Sequence, residues 1–324
     1  MANYILRRLI QAVPLLLLIS IIIFALLRLT PGGPLARFEN DPTISQQDLN
    51  RIRAQMGLDD PLPVQYGRWL IATLQGDFGE SYTARRPVIE MIAERLPNTL
   101  RLMSVAFVTT LVIAVPVGVI SAVKKYSWFD HIVTTVAFAG QSVPIFWFGL
   151  ILILVFYSTL ENPWSGGSLF PSGGISSIDE GGDFLDSVWH MVLPVAMLSL
   201  AWVSWYTRFL RGSMLEVIHQ DYVRTARAKG LRERWVIGRH ALINALIPLV
   251  TLVALDLPAL FAGAVFTETI FSWPGMGRLF YQSALRRDYP VLMAVIMMTA
   301  VLIILSNLIA DIVYGYLDPR IRYD

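Results

Sequence analysis

The residues with the clearest chemical potential lie in one basic segment, 221–248, between two strongly apolar stretches. The stretch 208–239 carries eight of the 26 Lys and Arg residues against only three acids. Asp221 belongs to a residue type that caps helices, no helix breaker follows before Lys229, and Gly230 suits the left-handed position after a helix end. The pattern predicts a cationic helix of about two turns, about 12 Å long. On composition alone, the segment is equally well a basic loop held at the cytoplasmic face of a membrane by the positive-inside rule.

Several other kinds of chemistry are excluded by what the sequence contains. The chain has no Cys, so it forms no disulfide, iron–sulfur cluster or thiolate zinc site. Its four His residues show no metal-ligand spacing, and no H-E-x-x-H motif occurs. No G-x-x-x-x-G-K-[ST] sequence is present, so the chain has no P-loop with which to hold ATP. Nothing here predicts a catalytic centre, a metal site or a cofactor bound by this chain.

Composition and hydropathy predict the elements that must position the basic segment. Hydrophobic residues make up 55% of the 324 positions and charged residues 15%, and the mean hydropathy is +0.56, which is typical of integral membrane proteins. Six runs, uncharged except for Asp256 in the fifth, have the roughly 20 residues needed to cross about 30 Å of hydrocarbon. They are residues 9–27, 102–123, 132–160, 187–207, 241–267 and 289–310. The fold class is therefore all-α integral membrane, with six transmembrane helices in a single domain, 1–324.

Two polar segments connect these runs on the side opposite the basic segment. Residues 31–97 are too long for an ordinary connection and contain helix-like pieces at 45–56 and 88–95, so they predict a small ordered extramembrane insertion. Ser45 with Asp48 resembles a capping box. Residues 161–186 contain six Gly, five acids and no base. That second segment is interpreted as a flexible spacer in preference to a docking site.

The distribution of basic residues predicts orientation. Lys and Arg concentrate before the first run, at Lys124 and Lys125, in the 208–240 loop, and at Arg320 and Arg322. The short loops on the other side carry few, and the long first loop is exempt from the rule. Both termini are therefore expected to be cytoplasmic.

Three polar residues within the runs are candidates for a translocation path. Gln141 and Ser142 precede Val143-Pro144, a combination that predicts a kink. Asp256 lies inside the fifth run, where a lipid-exposed carboxylate costs on the order of 2.5–3.5 kcal/mol. It is expected either to accept hydrogen bonds from a neighbouring span or to line the path and attract cationic cargo. The first interpretation is preferred.

At this point the sequence resembles a known family, the B-type permeases of dipeptide and oligopeptide ABC importers. The resemblance runs through nearly the whole chain in order and spacing. The motifs that carry it are Arg7-Arg8-Leu9, Gly76-Asp77-Phe78-Gly79, Glu94-Arg95-Leu96-Pro97, Tyr222-Val223-Arg224-Thr225-Ala226-Arg227-Ala228-Lys229-Gly230-Leu231, Asn244-Ala245-Leu246-Ile247-Pro248, Ser272-Trp273-Pro274-Gly275-Met276-Gly277, Arg287-Asp288-Tyr289-Pro290 and Leu317-Asp318-Pro319-Arg320-Ile321-Arg322.

The resemblance implies a type I ABC importer permease fold in a bacterial or archaeal plasma membrane. It also implies a second homologous permease, two ABC ATPase subunits that bind ATP and Mg, and an extracytoplasmic substrate-binding protein; no nucleic acid is involved. In the family a cytoplasmic coupling helix seats in a groove on the ATPase. That role falls here on Tyr222, Val223, Arg224, Thr225, Ala226, Arg227, Ala228, Lys229 and Gly230. The small residues Ala226 and Ala228 would permit close approach to the ATPase.

One departure limits what carries over, and several functions stay open. The Glu-Ala-Ala opening of the wider importer motif is replaced by Arg224-Thr225-Ala226, so no contact made by that glutamate is expected. The leading function is ATP-driven import of short peptides. Nickel, glutathione and oligosaccharide importers share most of these motifs. A secondary transporter or an intramembrane hydrolase is disfavoured because no internal repeat is visible and no second carboxylate accompanies Asp256.

Overall fold

The computed structural model describes residues 2–29, 33–35, 44–163, 166–177, 183–262 and 264–317, and this part of the chain is helical. The helices, numbered in chain order, are α1 (Ala2–Leu29), α2 (Gln46–Gln55), α3 (Leu62–Leu74), α4 (Val88–Val123), α5 (Trp128–Ser142), α6 (Ile145–Ile153), α7 (Phe184–Val217), α8 (Asp221–Ala228), α9 (Glu233–Trp235), α10 (Leu242–Asp256), α11 (Ala259–Ala262), α12 (Val265–Ile270), α13 (Met276–Leu285) and α14 (Tyr289–Leu317). Wider, π-helical turns continue α6 at Leu154–Thr159 and join α9 to α10 at Val236–Ala241.

The membrane-spanning prediction is confirmed in outline. Five stretches are long and apolar enough to cross a bilayer: Ile5–Leu29, Val88–Val123, Phe184–Val217, Glu233–Phe261 and Tyr289–Ile312. A sixth candidate is the pair Trp128–Ser142 and Ile145–Thr159, which passes the same test but is bent by 104°. The described chain therefore has five spans, or six when the bent pair counts as one.

The break in the bent pair lies at the position that the sequence predicts. Pro144 disfavours a helical backbone in the residue before it, and Val143 is extended, with φ −79° and ψ 126°. α5 ends at Ser142, and α6 begins after Pro144. The proline thus divides the third apolar run into two helices.

Two sequence-derived helix boundaries differ from the structure. The predicted helical piece 88–95 is not a separate helix, because α4 runs unbroken from Val88 through Pro97 to Val123. A helix of 36 residues is about 54 Å long and exceeds the roughly 30 Å of hydrocarbon, so the extent of the insertion, 31–97, stays a prediction. The fifth apolar run does not form one helix to Thr267, because α10 ends at Asp256 and α12 is a separate short helix.

The insertion contains ordered helices, as predicted. Ser45 caps α2 by accepting a hydrogen bond from the Asp48 amide at 3.2 Å, and its hydroxyl donates to the Asp48 carboxylate at 2.6 Å. α3 packs on the end of α1 through Tyr66 and Trp69, whose rings lie 5.5 and 6.0 Å from that of Phe24. Residues 164–165 and 178–182 of the glycine-rich segment, and the C-terminal motif beyond Leu317, lie outside the described residues.

The core lies where α4, α7 and α10 meet. Tyr206, Leu210 and Met214 of α7 are fully buried against α4 and the start of α10. Gly118 permits this approach, because a Cβ there would lie 3.0 Å from the Thr207 carbonyl oxygen. This close packing fixes α7, and α7 leads directly into α8.

Candidate coupling helix and path residues

The helix that the sequence predicts after residue 221 exists as α8, at the end of the spans opposite the insertion. It differs by one residue from the sequence prediction: Gln220 is the cap, without a side-chain capping bond, and Asp221 is the first helical residue. The error is one of position only, because Asp221 still places its negative charge in the first turn, where the helix dipole favours it. Gly230 has φ +75°, the left-handed conformation predicted for the residue that ends the helix.

One side of α8 packs against its own chain. Val223 is fully buried and Ala226 is 5% exposed; both lie in a small cluster with the fully buried Val236 and the partly buried Val217. Residues three apart share one side of a helix, so these contacts define its inward side. The expectation that Ala226 allows close approach to a partner was wrong, because its methyl group faces Val236.

A second attachment closes the turn after α8. Arg227 donates from Nη2 to Glu233 Oε1 at 2.8 Å and from Nε to both carboxylate oxygens at 3.2 Å. This hydrogen bonding raises the pKa of the Arg227 guanidinium above its ordinary value. The same arginine lies 3.5 Å from the Ile218 carbonyl oxygen. Arg227 therefore holds the helix to the chain on either side of it and contributes less to an outward cationic surface than the sequence suggested.

The outward side of α8 is formed by Asp221, Arg224, Thr225 and Ala228. All four are exposed, and their spacing places them opposite the buried pair. Arg224 lies 3.5 Å from Asp221 in an exposed ion pair, which contributes little stability. Small residues at two of the four positions leave the backbone accessible. This side, called the outward face of α8, has the properties of a surface for protein contact, flanked by the exposed Tyr222 and Lys229.

The candidate path residues do not gather into one site. Gln141 is exposed and its amide oxygen accepts a hydrogen bond from Arg208, whose guanidinium also lies 4.6 Å from the Phe138 ring centroid. Ser142 is exposed and donates to the Phe138 carbonyl at 2.9 Å. Asp256 accepts from the Tyr206 hydroxyl at 2.5 Å. Because Tyr206 and Arg208 are two residues apart on α7, they project about 200° apart, so Asp256 and Gln141 contact different sides of that helix.

Sequence reasoning missed an ion pair near the coupling helix. Asp130 of α5 is 2% exposed and accepts two bonds from Arg211 of α7, at 2.6 and 2.7 Å. It also accepts from the Tyr126 amide at 2.9 Å and from the Ser121 hydroxyl. One carboxylate thereby ties together α4, α5 and α7 about two turns before α7 ends. The sequence contained one indication of where Asp130 lies. Ser127 stands three residues before it, a helix-capping pattern, and the structure contains this cap at the start of α5.

A second buried carboxylate that sequence reasoning missed, that of Glu268, lies at the end of the spans opposite α8. Glu268 is fully buried and accepts from the Thr99 hydroxyl at 2.7 Å and from the Arg278 amide at 2.9 Å. Its carboxylate therefore lies at the start of α13, where unpaired amides and the helix dipole stabilise a negative group. Gly275 is required for the approach, because a Cβ there would lie 2.4 Å from that carboxylate. Burial nevertheless raises the pKa of Glu268 above its usual range.

Comparison with known proteins gives consistent matches. A family model described as "Binding-protein-dependent transport system inner membrane component" matches residues 114–323, and its N-terminal companion matches residues 1–103. The oligopeptide transport system permease protein AppB of Bacillus subtilis (strain 168) is 45% identical over 324 residues, covering 100% of both chains. The dipeptide transport system permease protein DppB of Escherichia coli (strain K12) is 41% identical over 337 residues, covering 100% of this chain and 99% of DppB.

Two further matches extend the comparison. The glutathione transport system permease protein GsiC of Salmonella paratyphi A is 38% identical over 323 residues, covering 100% of both chains. An inward-facing structure of the MetNI methionine ABC transporter superposes with a TM-score of 0.55 at 16% identity, covering 70% of this chain and 96% of that one. The structural match supports the fold.

Proposed function

Because the chain belongs to the family of binding-protein-dependent transport system inner membrane components, we propose that it is the membrane-spanning subunit of an ABC importer for short peptides. Two full-length relatives that carry peptide-transport names support this substrate class. The relative named for glutathione transport fits the same class, since glutathione is itself a tripeptide derivative. The chain is a translocation subunit, and ATP and Mg are bound by partner ATPases.

The observation that carries the proposal is the outward face of α8. In this role, Thr225 and Ala228 contact an ATPase subunit, while Val223, Ala226 and the Arg227–Glu233 ion pair transmit the force to the chain. A movement of the ATPase then displaces α7 and α10, between which α8 is held. Two short segments join α8 to these spans, which supports a rigid connection. ATP hydrolysis in the partner thereby becomes a movement of spans in this subunit.

The remaining subunits and the orientation complete the proposal. A second homologous permease forms the other half of the pathway, and two ATPases dock on the side of α8. A substrate-binding protein docks on the side of the insertion. The chain lies in a bacterial or archaeal plasma membrane with both termini cytoplasmic, as the basic residues favour.

For the path residues we favour different roles. The hydrogen bond from Tyr206 to Asp256 supports a structural role for that carboxylate, because it satisfies a half-buried acceptor between two spans. Gln141 and Ser142 stay candidates for the path, since both are exposed at the break between α5 and α6.

The test is peptide uptake by proteoliposomes that contain this chain, the second permease, two ATPases and the binding protein. We expect uptake of a labelled di- or tripeptide only with ATP, competed by unlabelled peptide and not by nickel or an oligosaccharide. Thr225→Trp enlarges the outward face and should abolish ATP-dependent uptake, whereas Lys125→Trp, on an exposed loop at the same end, should not. Uptake by the chain without ATPases would favour a secondary transporter and contradict the proposal.

A further inference from the structure

A cavity of about 720 Å³ lies where α1, the insertion and the start of α14 meet. Its lining includes Phe24, Arg28, Trp69, Tyr82, Tyr289 and Met293. It is remote from α8 and from the path residues, so neither the coupling role nor the path accounts for it.

The depth of this cavity follows from the pairing of α1 with α14. Arg8, near the start of α1, forms an ion pair of 3.2 Å with Asp311, near the end of α14, so the two helices are antiparallel. Arg28 follows Arg8 by 20 residues and Tyr289 precedes Asp311 by 22, which correspond to about 30 and 33 Å of helix. Since the hydrocarbon core of a bilayer is about 30 Å thick, the cavity lies at the boundary between hydrocarbon and headgroups on the side of the insertion.

Two hydrogen-bond donors in the cavity lack acceptors. Tyr289 is 5% exposed, and its hydroxyl has no hydrogen-bond partner among the described residues. Arg28 lies over the Phe24 ring at 5.0 Å and forms no ion pair with any described residue. The Tyr289 hydroxyl is costly to bury without an acceptor, whereas Arg28 is partly exposed. Both donors would bond an acceptor in the cavity, most strongly an anion.

The residues around Arg28 and Tyr289 indicate which other chemical groups the ligand carries. Asp77, Glu80 and Arg85 are exposed and also line the cavity, so its mouth carries two acids and one base, and a group with both charges fits there better than a second anion. A second cavity of about 760 Å³ shares Phe24 and Arg28 with the first and extends along α1 as far as Ile21, with residues of the insertion such as Leu58 and Leu62 on its other side. The hydrogen-bond donors Arg28 and Tyr289 and the acids Asp77 and Glu80 therefore lie beside the largely apolar second cavity, at the depth of the lipid headgroups.

We propose that this cavity binds a zwitterionic phospholipid of the phosphatidylethanolamine class from the leaflet on the side of the insertion. Its phosphate accepts hydrogen bonds from Arg28 and the Tyr289 hydroxyl. Its ammonium lies near Asp77 and Glu80, and an acyl chain follows the second cavity along α1. The lipid thereby joins the insertion to the two spans that flank it.

The experiment measures lipid binding to the full chain, purified with the subunits that remain bound and then depleted of lipid. Phosphatidylethanolamine and phosphatidylglycerol of matched chains, and inorganic phosphate, are added in turn, and binding is followed by native mass spectrometry and by thermal stability. We expect phosphatidylethanolamine to bind and to raise the melting temperature. Arg28→Gln and Tyr289→Phe should each weaken its binding by about tenfold, the loss expected for a hydrogen bond to a charged group.

Matched controls separate lipid binding from folding. Arg51→Gln, on the exposed side of α2, and Tyr281→Phe, whose side chain is 42% exposed, should bind the lipid as the wild type does. Without lipid, Tyr289→Phe should melt no lower than the wild type, because its hydroxyl bonds none of the described residues. Undiminished phosphatidylethanolamine binding in both cavity variants would overturn the site. Equal binding of phosphatidylglycerol would overturn the assignment of the ammonium group. Equal protection by inorganic phosphate would show that the cavity binds free phosphate and not a lipid.

Discussion

The attachment of α8 to its own chain gives the most quantitative prediction. α8 has eight residues, and isolated helices shorter than about 12–15 residues are marginal in water, so its order depends on the packing of Val223 and Ala226. Val223→Ala removes two methyl groups from a fully buried site. At about 0.8 kcal/mol for each group, with a further cost for the cavity that remains, the substitution should favour local opening of α8 by about 2 kcal/mol.

Hydrogen–deuterium exchange of the peptide that contains α8 measures this opening. A change of about 2 kcal/mol corresponds to exchange about 30-fold faster at the amides of the helix, including that of Lys229, which donates to the Thr225 carbonyl at 3.1 Å. Tyr222→Ala is the control on the same helix, because that side chain is 43% exposed and its loss leaves the inward side intact. We expect less than about a threefold change in the control.

The same variants test whether this packing transmits force. Val223→Ala should lower the amount of peptide imported for each ATP hydrolysed. Exchange that is unchanged in Val223→Ala, or raised equally by Tyr222→Ala, would refute the view that the inward side holds α8 in place.

Three further predictions concern the carboxylates of Glu268, Asp256 and Asp288. Burial raises the pKa of Glu268, so its contribution to stability is fully present below pH 4.5 and is lost as the pH rises through the raised value. Glu268→Gln should therefore melt with a weaker pH dependence than the wild type above pH 4.5, and an identical dependence would contradict this. Asp256→Asn keeps an acceptor for Tyr206 and should transport neutral and cationic peptides nearly normally, whereas a selective loss of cationic peptides would assign this carboxylate to the path. Asp288 is 2% exposed and accepts a hydrogen bond from the Ser81 hydroxyl at 2.6 Å. Asp288→Ala should therefore make the loop before α4 more than about tenfold more sensitive to proteolysis. Unchanged sensitivity would show that other contacts hold this loop.

The sequence predicted the spans well because hydrophobic length is a local property. The prediction failed where one residue type is compatible with two structures, as a proline can either end a helix or lie within it. Pro97 was taken to end the insertion, yet α4 continues through this proline without a break. The next residue, Asn98, donates from its side chain to the carbonyls of Glu94 and Pro274 at 3.2 and 3.0 Å. The contact with Pro274 joins residues 176 positions apart, so the sequence alone did not reveal it.

The α8 segment shows the same limit of sequence-based prediction. Val223 and Ala226 are three residues apart, so the sequence already contained the signal that they share a side of the helix. Which side faces inward depended on Val236, which follows the turn at Gly230, and this could not be derived from periodicity alone. The pairing of Tyr206 with Asp256 joins residues 50 positions apart and likewise required the packing of α7 on α10.

Site-specific crosslinking tests the central claim, that the outward face of α8 docks on an ATPase subunit, most directly. The chain has no natural Cys, so Thr225→Cys and Ala228→Cys each introduce a single thiol on that face, and Val223→Cys introduces one on the inward side. In the assembled complex, a short bifunctional reagent should join the ATPase to Cys introduced at 225 or 228 and not at 223. Crosslinking to the ATPase from position 223 alone, or from none of the three, would contradict the account.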